Sequence, residues 1–401
     1  MLYVGSDDGA YRLAGVRDAN GDDTATTEQV LESGAVMRLR RLDDVGSGGL
    51  FAATATGLYH SPTGEEWVDL GAPGEAAYAV GASSDGETLY AGTRPAAMYA
   101  ATVPDDVGTD GIGLAASALE WRECEGFQDL PSREHWRLPR HEDLAHVRDA
   151  KGLPGRPEGV VAAVEVGGVH ASEDRGETWS ERRGPITDPR PEVAGDGDDV
   201  DWSARPTDSN EIDWSRRPGD VHDDVHELAV VDAETWIAAT GFGLFRTTDA
   251  GRSWTRLDDG VDQRYFRTVF HHDGTTYAAG ALSSSGNWDA PDEDPGFFAY
   301  RPGDSLEPIA YPTPTEVVTG LGAVPTNGVD GAESERTLVA GTHRGSLLRA
   351  DPADDATDAP DDDGTADDGG GDGAWREVGS FPVGETTGTY TPLAWLDGRV
   401  P

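Results

Sequence analysis

Three groups of histidines and carboxylates have side chains that could bind a metal ion or transfer a proton. They are His135, His141, Glu142, Asp143 and His146; His222, Asp223, Asp224 and His226; and His271 with His272. Imidazole and carboxylate groups are common ligands of divalent metals, but a zinc site is recognised by a spacing such as His-Glu-x-x-His. None of the three groups has that spacing, so the sequence predicts no metal site and no cofactor.

A second set of reactive side chains is found when the innermost strands of the repeat described below are aligned. Glu142, His226 and Arg267 occupy one position in three successive repeat units, and Tyr78 occupies it in an earlier unit. The other units place Met37, Thr319 and Thr391 there. An acid, an imidazole and a guanidinium around a channel suit a small anionic or polar ligand. Alternatively they pair with one another and stabilise the ring, and a slip of one residue would reverse their facing.

The remaining candidates indicate structural roles. Arg38, Arg40 and Arg41 lie close together, and alternating arginines among many carboxylates favour a salt-bridged strand face. Cys124 is the one cysteine and stands between two glutamates, whose charge would raise its pKa and weaken it as a nucleophile. The sequence has neither a glycine-rich phosphate loop nor a Gly-x-Ser-x-Gly motif. We therefore assign no catalytic residue from these patterns.

Composition limits the partners. The 401 residues include 75 acidic and 31 basic side chains, which gives a net charge of −44, and Lys151 is the single lysine. This charge opposes binding to nucleic acid and to anionic membranes, and no apolar run approaches the about 18 residues of a membrane-spanning helix. We expect a monomer. We also expect it in the cytoplasm, because the N-terminus lacks the basic and apolar regions of a signal peptide.

The elements that would position these side chains are seven copies of one short pattern, two large apolar residues followed by two small ones. The copies span 2–6, 50–54, 89–93, 160–164, 236–240, 276–280 and 338–342. Such a pattern predicts a strand that is buried on both faces. Each copy is followed by a turn and a second apolar segment, and the closest copies are 39 and 40 residues apart. That spacing is close to the about 40–50 residues of a four-stranded propeller blade.

The two ends of the chain are expected to meet in one blade. Most copies follow a further apolar run, but the first copy begins at the N-terminus and has none, whereas an unused run occupies 390–396. We therefore predict an all-β fold, a single seven-bladed β-propeller over 1–401 whose C-terminal strand pairs with the N-terminal blade and closes the ring. Acidic segments near 188–224 and 351–373 are expected to be insertion loops, and 125–158 a third irregular stretch.

Two copies continue into a sharper motif, Ser/Thr-x-Asp-x-Gly-x-Ser/Thr-Trp. Its defining residues are Ser172, Asp174, Gly176 and Trp179 in one copy, and Thr247, Asp249, Gly251 and Trp254 in the other. The motif resembles the Asp-box (BNR) repeat of sialidases, sortilin-like receptors and photosystem II assembly factors. The resemblance implies a structural hairpin away from any active site, so neither aspartate is expected to be catalytic.

The resemblance leaves two functions open. We favour a non-enzymatic binding or assembly platform whose partner is an unknown protein or a small polar ligand. The alternative is a sialidase-like glycoside hydrolase, which would need an arginine cluster, a tyrosine with a glutamate, and an acid/base aspartate. The Arg-Ile-Pro motif of sialidases is missing near the first blade, and a fold alone does not establish an activity.

The distribution of charge generates a first prediction. Acidity that is spread along the chain with almost no lysine resembles that of proteins from salt-loving archaea, where about 1 M salt reduces the Debye length to about 3 Å and screens repulsion between carboxylates. We expect the fold to loosen or unfold when salt is lowered to about 0.01 M, where the Debye length is about 30 Å. Circular dichroism and tryptophan fluorescence during dialysis from molar KCl would measure this, and full stability at low salt would contradict the halophilic interpretation.

Overall fold

A computed structural model describes residues 1–16, 25–104, 114, 119–136, 144–182, 224–326, 335–350, 375–384 and 390–397. Within these residues the strands form seven four-stranded antiparallel sheets, which are the blades of a β-propeller. The predicted all-β class and seven-bladed ring are confirmed. None of the described helices is long and apolar enough to cross a membrane.

The blades are numbered from the N-terminus, and each is given from its innermost strand outward. Blade 1 comprises β28 (Leu393–Trp395), β1 (Leu2–Gly5), β2 (Gly9–Ala14) and β3 (Thr26–Glu32). Blade 2 comprises β4 (Val36–Arg41), β5 (Leu50–Thr54), β6 (Gly57–Ser61) and β7 (Val68–Asp69). Blade 3 comprises β8 (Ala76–Ala82), β9 (Thr88–Arg94), β10 (Met98–Thr102) and β11 (Trp121–Glu123). Blade 4 comprises β12 (His146–Leu153), β13 (Arg156–Glu165), β14 (Gly168–Ser172) and β15 (Ser180–Glu181).

The last three blades repeat the same order. Blade 5 comprises β16 (Val225–Val230), β17 (Trp236–Thr240), β18 (Gly243–Thr247) and β19 (Thr255–Arg256). Blade 6 comprises β20 (Tyr265–His272), β21 (Thr275–Ala281), β22 (Gly296–Tyr300) and β23 (Glu307–Pro308). Blade 7 comprises β24 (Val318–Pro325), β25 (Arg336–Thr342), β26 (Ser346–Ala350) and β27 (Trp375–Ser380).

The short apolar pattern forms the second strand of every blade. In blades 2 and 5 all five residues of this strand, β5 and β17, are buried. Small residues in these strands leave room for the neighbouring blade, because a Cβ added at Gly92 of β9 would lie 2.5 Å from a methyl group of Val147. The core therefore lies between successive blades around the ring.

The stretch 125–158, which we predicted to be irregular, is more ordered than expected. It contains a short helix α1 (Glu125–Gln128), a 3₁₀ turn (Arg133–His135), all of β12 and the start of β13. A second 3₁₀ turn spans Ser285–Asn287. The acidic insertions lie outside the described residues over 188–223 and 351–373.

The C-terminal strand closes the ring as predicted. Leu393 of β28 pairs with Val4 of β1, and Trp395 pairs with Leu2. Beyond the strand, the Met1 amino group donates a hydrogen bond of 2.6 Å to the Leu396 carbonyl. Blade 1 therefore takes strands from both ends of the chain, and β28 is its innermost strand.

Ring closure generates a second prediction. Leu393 is buried against the apolar side chains of blades 1 and 7, so Leu393→Ala should lower the free energy of unfolding by about 2–5 kcal/mol through lost burial and a cavity. The control Leu282→Ala removes an exposed leucine and should change it by less than about 0.5 kcal/mol. Urea unfolding in molar KCl measures both, and an equal effect of the two variants would argue against closure by β28.

Candidate functional site

The innermost strands of blades 2 to 7 share one irregularity at the start of the strand. Each strand contains one extra residue, a β-bulge, within the first three pairs that it makes with the next strand. We call these the bulge residues: Met37, Tyr78, Arg148, His226, Arg267 and Thr319. Bulges redirect a side chain at functional and structural sites. Here they place one ring of side chains around one end of the central channel, which we call the top; the opposite end is the bottom.

The bulge ring corrects one sequence assignment. The position that the sequence alignment gave to Glu142 is occupied by Arg148, and Glu142 itself lies outside the described residues. The alignment placed Tyr78, His226 and Arg267 at one position, and the structure brings all three into this ring. Thr391, which the sequence placed at the same position in blade 1, shares a hydrogen bond of 2.8 Å with Thr319.

Histidines and carboxylates pair at the top of the channel. The His146 Nε2 and Arg148 Nε atoms lie 3.0 and 2.7 Å from the Glu165 Oε2 atom. Burial alone would raise the pKa of the Glu165 carboxyl, but Arg148 and His146 outweigh it and hold that pKa well below its usual range. His226 is similarly placed, with its Nε2 atom 3.3 Å from an Asp224 oxygen.

Tyr390 links two arginines of the bulge ring. The guanidinium groups of Arg148 and Arg267 lie over its ring, 4.5 and 4.1 Å from the centroid, an arrangement that is stabilised by cation–π attraction. Burial, and then repulsion from Arg148, lowers the pKa of Arg267 to about 10. Most groups at this level are therefore buried and paired with one another, as the second of the two sequence interpretations expected.

Below the bulge ring, three cationic side chains surround one buried carboxylate. Asp149 forms an ion pair with Arg40, its Oδ2 atom lies 3.6 Å from the Lys151 Nζ atom, and its Oδ1 atom lies 4.0 Å from the Arg38 Nε atom. Burial by itself would raise the pKa of the Asp149 carboxyl. The surrounding cations, first Arg40, outweigh burial and hold that pKa well below its usual range. The arginines of β4 are thus salt-bridged, as predicted, but they face the channel.

Glu227 is the second carboxylate at this depth. Its Oε2 atom accepts hydrogen bonds of 2.7 Å from the Thr268 hydroxyl and 3.1 Å from the Val269 N–H. Its other oxygen lies 4.0 Å from the Arg38 Nη1 atom. Arg38 therefore stands between the two carboxylates, Asp149 of blade 4 and Glu227 of blade 5.

A cavity of about 390 Å³ opens at the bottom of the channel. Its ionisable lining consists of Arg38, Arg40, Arg41, Lys151, Glu227, His272 and Arg336. Tyr390 and the bulge residue Thr319 also line it, so the cavity reaches up to the bulge ring. This site is not recognisable from the sequence, because the arginines of β4 resemble a salt-bridged structural face and β12 lacks an apolar run. The signal that could have found it is the single lysine, which lies two residues after Asp149.

The histidine groups do not form a metal centre in the part of the chain that the structure describes. No cluster of three or more histidine, cysteine or carboxylate side chains there has a geometry that could hold an ion. His141, His222 and Asp223 lie outside that part.

Burial raises the pKa of the Cys124 thiol to about 11.

The two aspartate motifs form matching turns that connect the third strand to the outermost strand of blades 4 and 5. In blade 5, the Asp249 carboxylate accepts hydrogen bonds from the Ser253 N–H and hydroxyl and from the Thr247 hydroxyl, at 2.6 to 2.8 Å. Asp174 accepts the equivalent three bonds in blade 4, at 2.5 to 2.9 Å. The Trp179 and Trp254 rings pack on the adjoining core clusters. These turns hold the outer edge of each blade.

The chain is similar in structure to several known proteins. It matches an ancestral GH74 enzyme with 13% identity and a TM-score of 0.50, covering 79% of this chain and 36% of that one. It matches the GH74 xyloglucanase from Xanthomonas campestris with 15% identity and a TM-score of 0.45, covering 78% and 45%. It also matches YCF48 bound to D1 peptide with 14% identity and a TM-score of 0.37, covering 69% and 63%.

These similarities establish the fold alone, because the identities are low. The chain also spans less than two thirds of the length of each of the three. No protein-family model and no curated protein matches the sequence.

The aspartate turns generate a third prediction. Hydrogen bonds from the Ser253 side chain and backbone lower the pKa of Asp249 to about 2, below the about 3.9 of an unfolded aspartate. Its carboxylate therefore stabilises the fold above about pH 4, and this contribution is lost as the pH falls through about 2. Asp249→Asn should cost roughly 1 kcal/mol near neutral pH, and the difference from wild type should shrink between about pH 4 and 2.

Urea unfolding at a series of pH values measures this difference. Asp259→Asn, which changes an exposed aspartate in the following loop, is the control and should show no such difference. A difference between Asp249→Asn and wild type that does not change with pH would contradict the assignment.

Proposed function

We propose that the chain is a non-enzymatic binding or assembly platform that takes up its ligand or partner through the central channel. The observation that carries this proposal is the bottom cavity, where cationic side chains line an open space. The cations of the cavity also have acid partners, but they border open space, whereas the paired groups at the top of the channel are buried against one another. The cavity therefore offers charge and volume to a second molecule, and the bulge ring supports it from above.

Two further features belong to this proposal. We propose that the turns around Asp174 and Asp249 make the chain a member of the Asp-box group of propellers, which is supported by their matching hydrogen bonds. We also propose that it works in a salt-rich cytoplasm, which is supported by the net charge of −44. Strong screening there would keep a highly acidic protein soluble and compact.

A glycoside hydrolase is the alternative, favoured by the likeness to an ancestral GH74 enzyme and by two carboxylates, Asp149 and Glu227, on either side of Arg38. A glycosidase needs one carboxyl that is still protonated near neutral pH and can act as a general acid. The pKa of Asp149 and that of Glu165 are instead held well below their usual range. Both are therefore ionised near neutral pH, which leaves Glu227 as the remaining candidate for the general acid.

The fourth prediction separates the two functions. In molar KCl, the protein should release no reducing ends from xyloglucan and no nitrophenol from a set of 4-nitrophenyl glycosides beyond a blank. Glu227→Gln, prepared in the same way, should give the same values. Turnover by the wild type that Glu227→Gln removes would overturn the binding proposal in favour of hydrolysis. Turnover that both share and that elutes with the protein would also overturn it, with residues other than Glu227 as the catalysts.

A further inference from the structure

The bottom cavity has an excess of positive charge. Five side chains that carry full positive charges line it, against one carboxylate, Glu227. Three more carboxylates contact these cations: Asp149, Asp397 and Asp43. Five cations thus meet four carboxylates, in a chain whose net charge is −44. Because acids outnumber bases by more than two to one overall, this local inversion marks the cavity as a site for anions.

The cations form two clusters. The deep cluster comprises Arg38, Arg40 and Lys151, which surround the buried Asp149. The rim cluster comprises Arg41 and Arg336, whose nitrogens lie 2.6 and 3.9 Å from one oxygen of Asp397. A ligand that satisfies both clusters must carry more than one anionic group.

Several donors in these clusters retain capacity for another acceptor. Arg38 is only 7% exposed, yet its Nε atom has no hydrogen-bond partner among the described residues, and neither has that of Arg40. The contacts of Arg38 with the two carboxylates are 4.0 Å long, which is beyond hydrogen-bonding distance. Among the described residues, the polar contacts of Arg336 are 3.5 and 3.9 Å long. The guanidinium groups of Arg41 and Arg336 are partly exposed at the rim, so they can donate to a further acceptor.

The apolar part of the lining could contact the carbon atoms of an organic ligand. Phe270 and Trp395 contribute aromatic surface, and Ala323 and Ala394 contribute small side chains. The volume of about 390 Å³ lies at the lower end of the about 300–1,000 Å³ of small-molecule pockets. We propose that the bottom cavity binds a small organic polyanion, a molecule with two or more carboxylate or phosphate groups. This inference rests on the proposed binding function and names its ligand class.

The single lysine provides a direct probe of the cavity. Burial lowers the pKa of the Lys151 ammonium to about 8, so a substantial fraction is a reactive amine near pH 8, and an uncharged acetylating reagent should modify it. Citrate and pyrophosphate, each added at constant ionic strength in KCl, should slow this reaction about tenfold or more at saturation, because an anion both shields the amine and favours its protonated form. Peptide mass spectrometry measures the rate, with the exposed amino group of Met1 as an internal control.

Matched arginine variants test whether the effect belongs to the cavity. In Arg336→Gln, the better of the two probes should be needed at about tenfold higher concentration to give the same protection of Lys151. Arg12→Gln is the control, because Arg12 and Arg336 have the same side-chain exposure of 25% and Arg12 pairs with Glu28 and Glu65 in the outer part of the ring. If Arg336→Gln does not fold, Arg41→Gln takes its place at the rim.

The outcomes separate the ligand class from the proposed function. Protection by citrate alone supports a carboxylate ligand, and protection by pyrophosphate alone supports a phosphate ligand. A Lys151 rate with citrate and pyrophosphate equal to that in KCl of the same ionic strength, or equal loss in Arg336→Gln and Arg12→Gln, would overturn the polyanion site. Protection of Lys151 by neutral sugars but by neither anion would overturn the ligand class and leave the binding function standing. No protection by any probe, together with hydrolysis that depends on Glu227, would overturn both.

Discussion

The close convergence of the innermost strands on one axis is the constraint on which the rest of the molecule depends. Where blades 3 and 4 meet, a Cβ added at Gly81 would lie 2.2 Å from the Ala150 carbonyl oxygen, and where blades 7 and 1 meet, one at Gly320 would lie 1.7 Å from that of Thr391. No side chain larger than hydrogen fits at either point. Adjacent strands therefore nearly touch, and the residues that do carry side chains toward the axis are forced against those of other blades.

This convergence explains why charge in the channel is organised by pairing. Groups at the axis are shielded from water, so each unpaired charge would cost a large desolvation energy. At the top, carboxylates, histidines and arginines meet closely, and Tyr390 fills the space between two guanidinium groups. At the bottom, the walls leave a cavity, and the cations there exceed the acids that contact them. The same electrostatics that stabilise one end of the channel thus leave the other end able to bind an anion.

The limits of prediction from the sequence follow from the same physics. The second strands and the closing strand could be predicted because burial on both faces requires apolar residues, and Leu393 is such a residue. Strand β12 could not, because it carries Arg148, Asp149 and Lys151 and therefore lacks an apolar run. Without that run, Glu142 is aligned at the position that Arg148 occupies in blade 4. The polar side chains that line the candidate site also remove the apolar run by which its strand would be predicted. The fold could therefore be predicted from the sequence, and the cavity could not.

Concentrated salt would act differently on the two clusters of the cavity. At about 1 M salt the Debye length is about 3 Å, so the pair between Arg41 and the exposed Asp43 would be largely screened. The pair between Arg40 and the buried Asp149 would persist, because buried charges are screened much less. The pair between Arg41 and Asp43 at the rim would then weaken while the deep cluster stays in place. A monovalent anion at the rim would be screened in the same way, whereas a polyanion anchored by the deep cluster would retain its affinity. A salt-rich solvent therefore favours the ligand class that the cavity geometry requires.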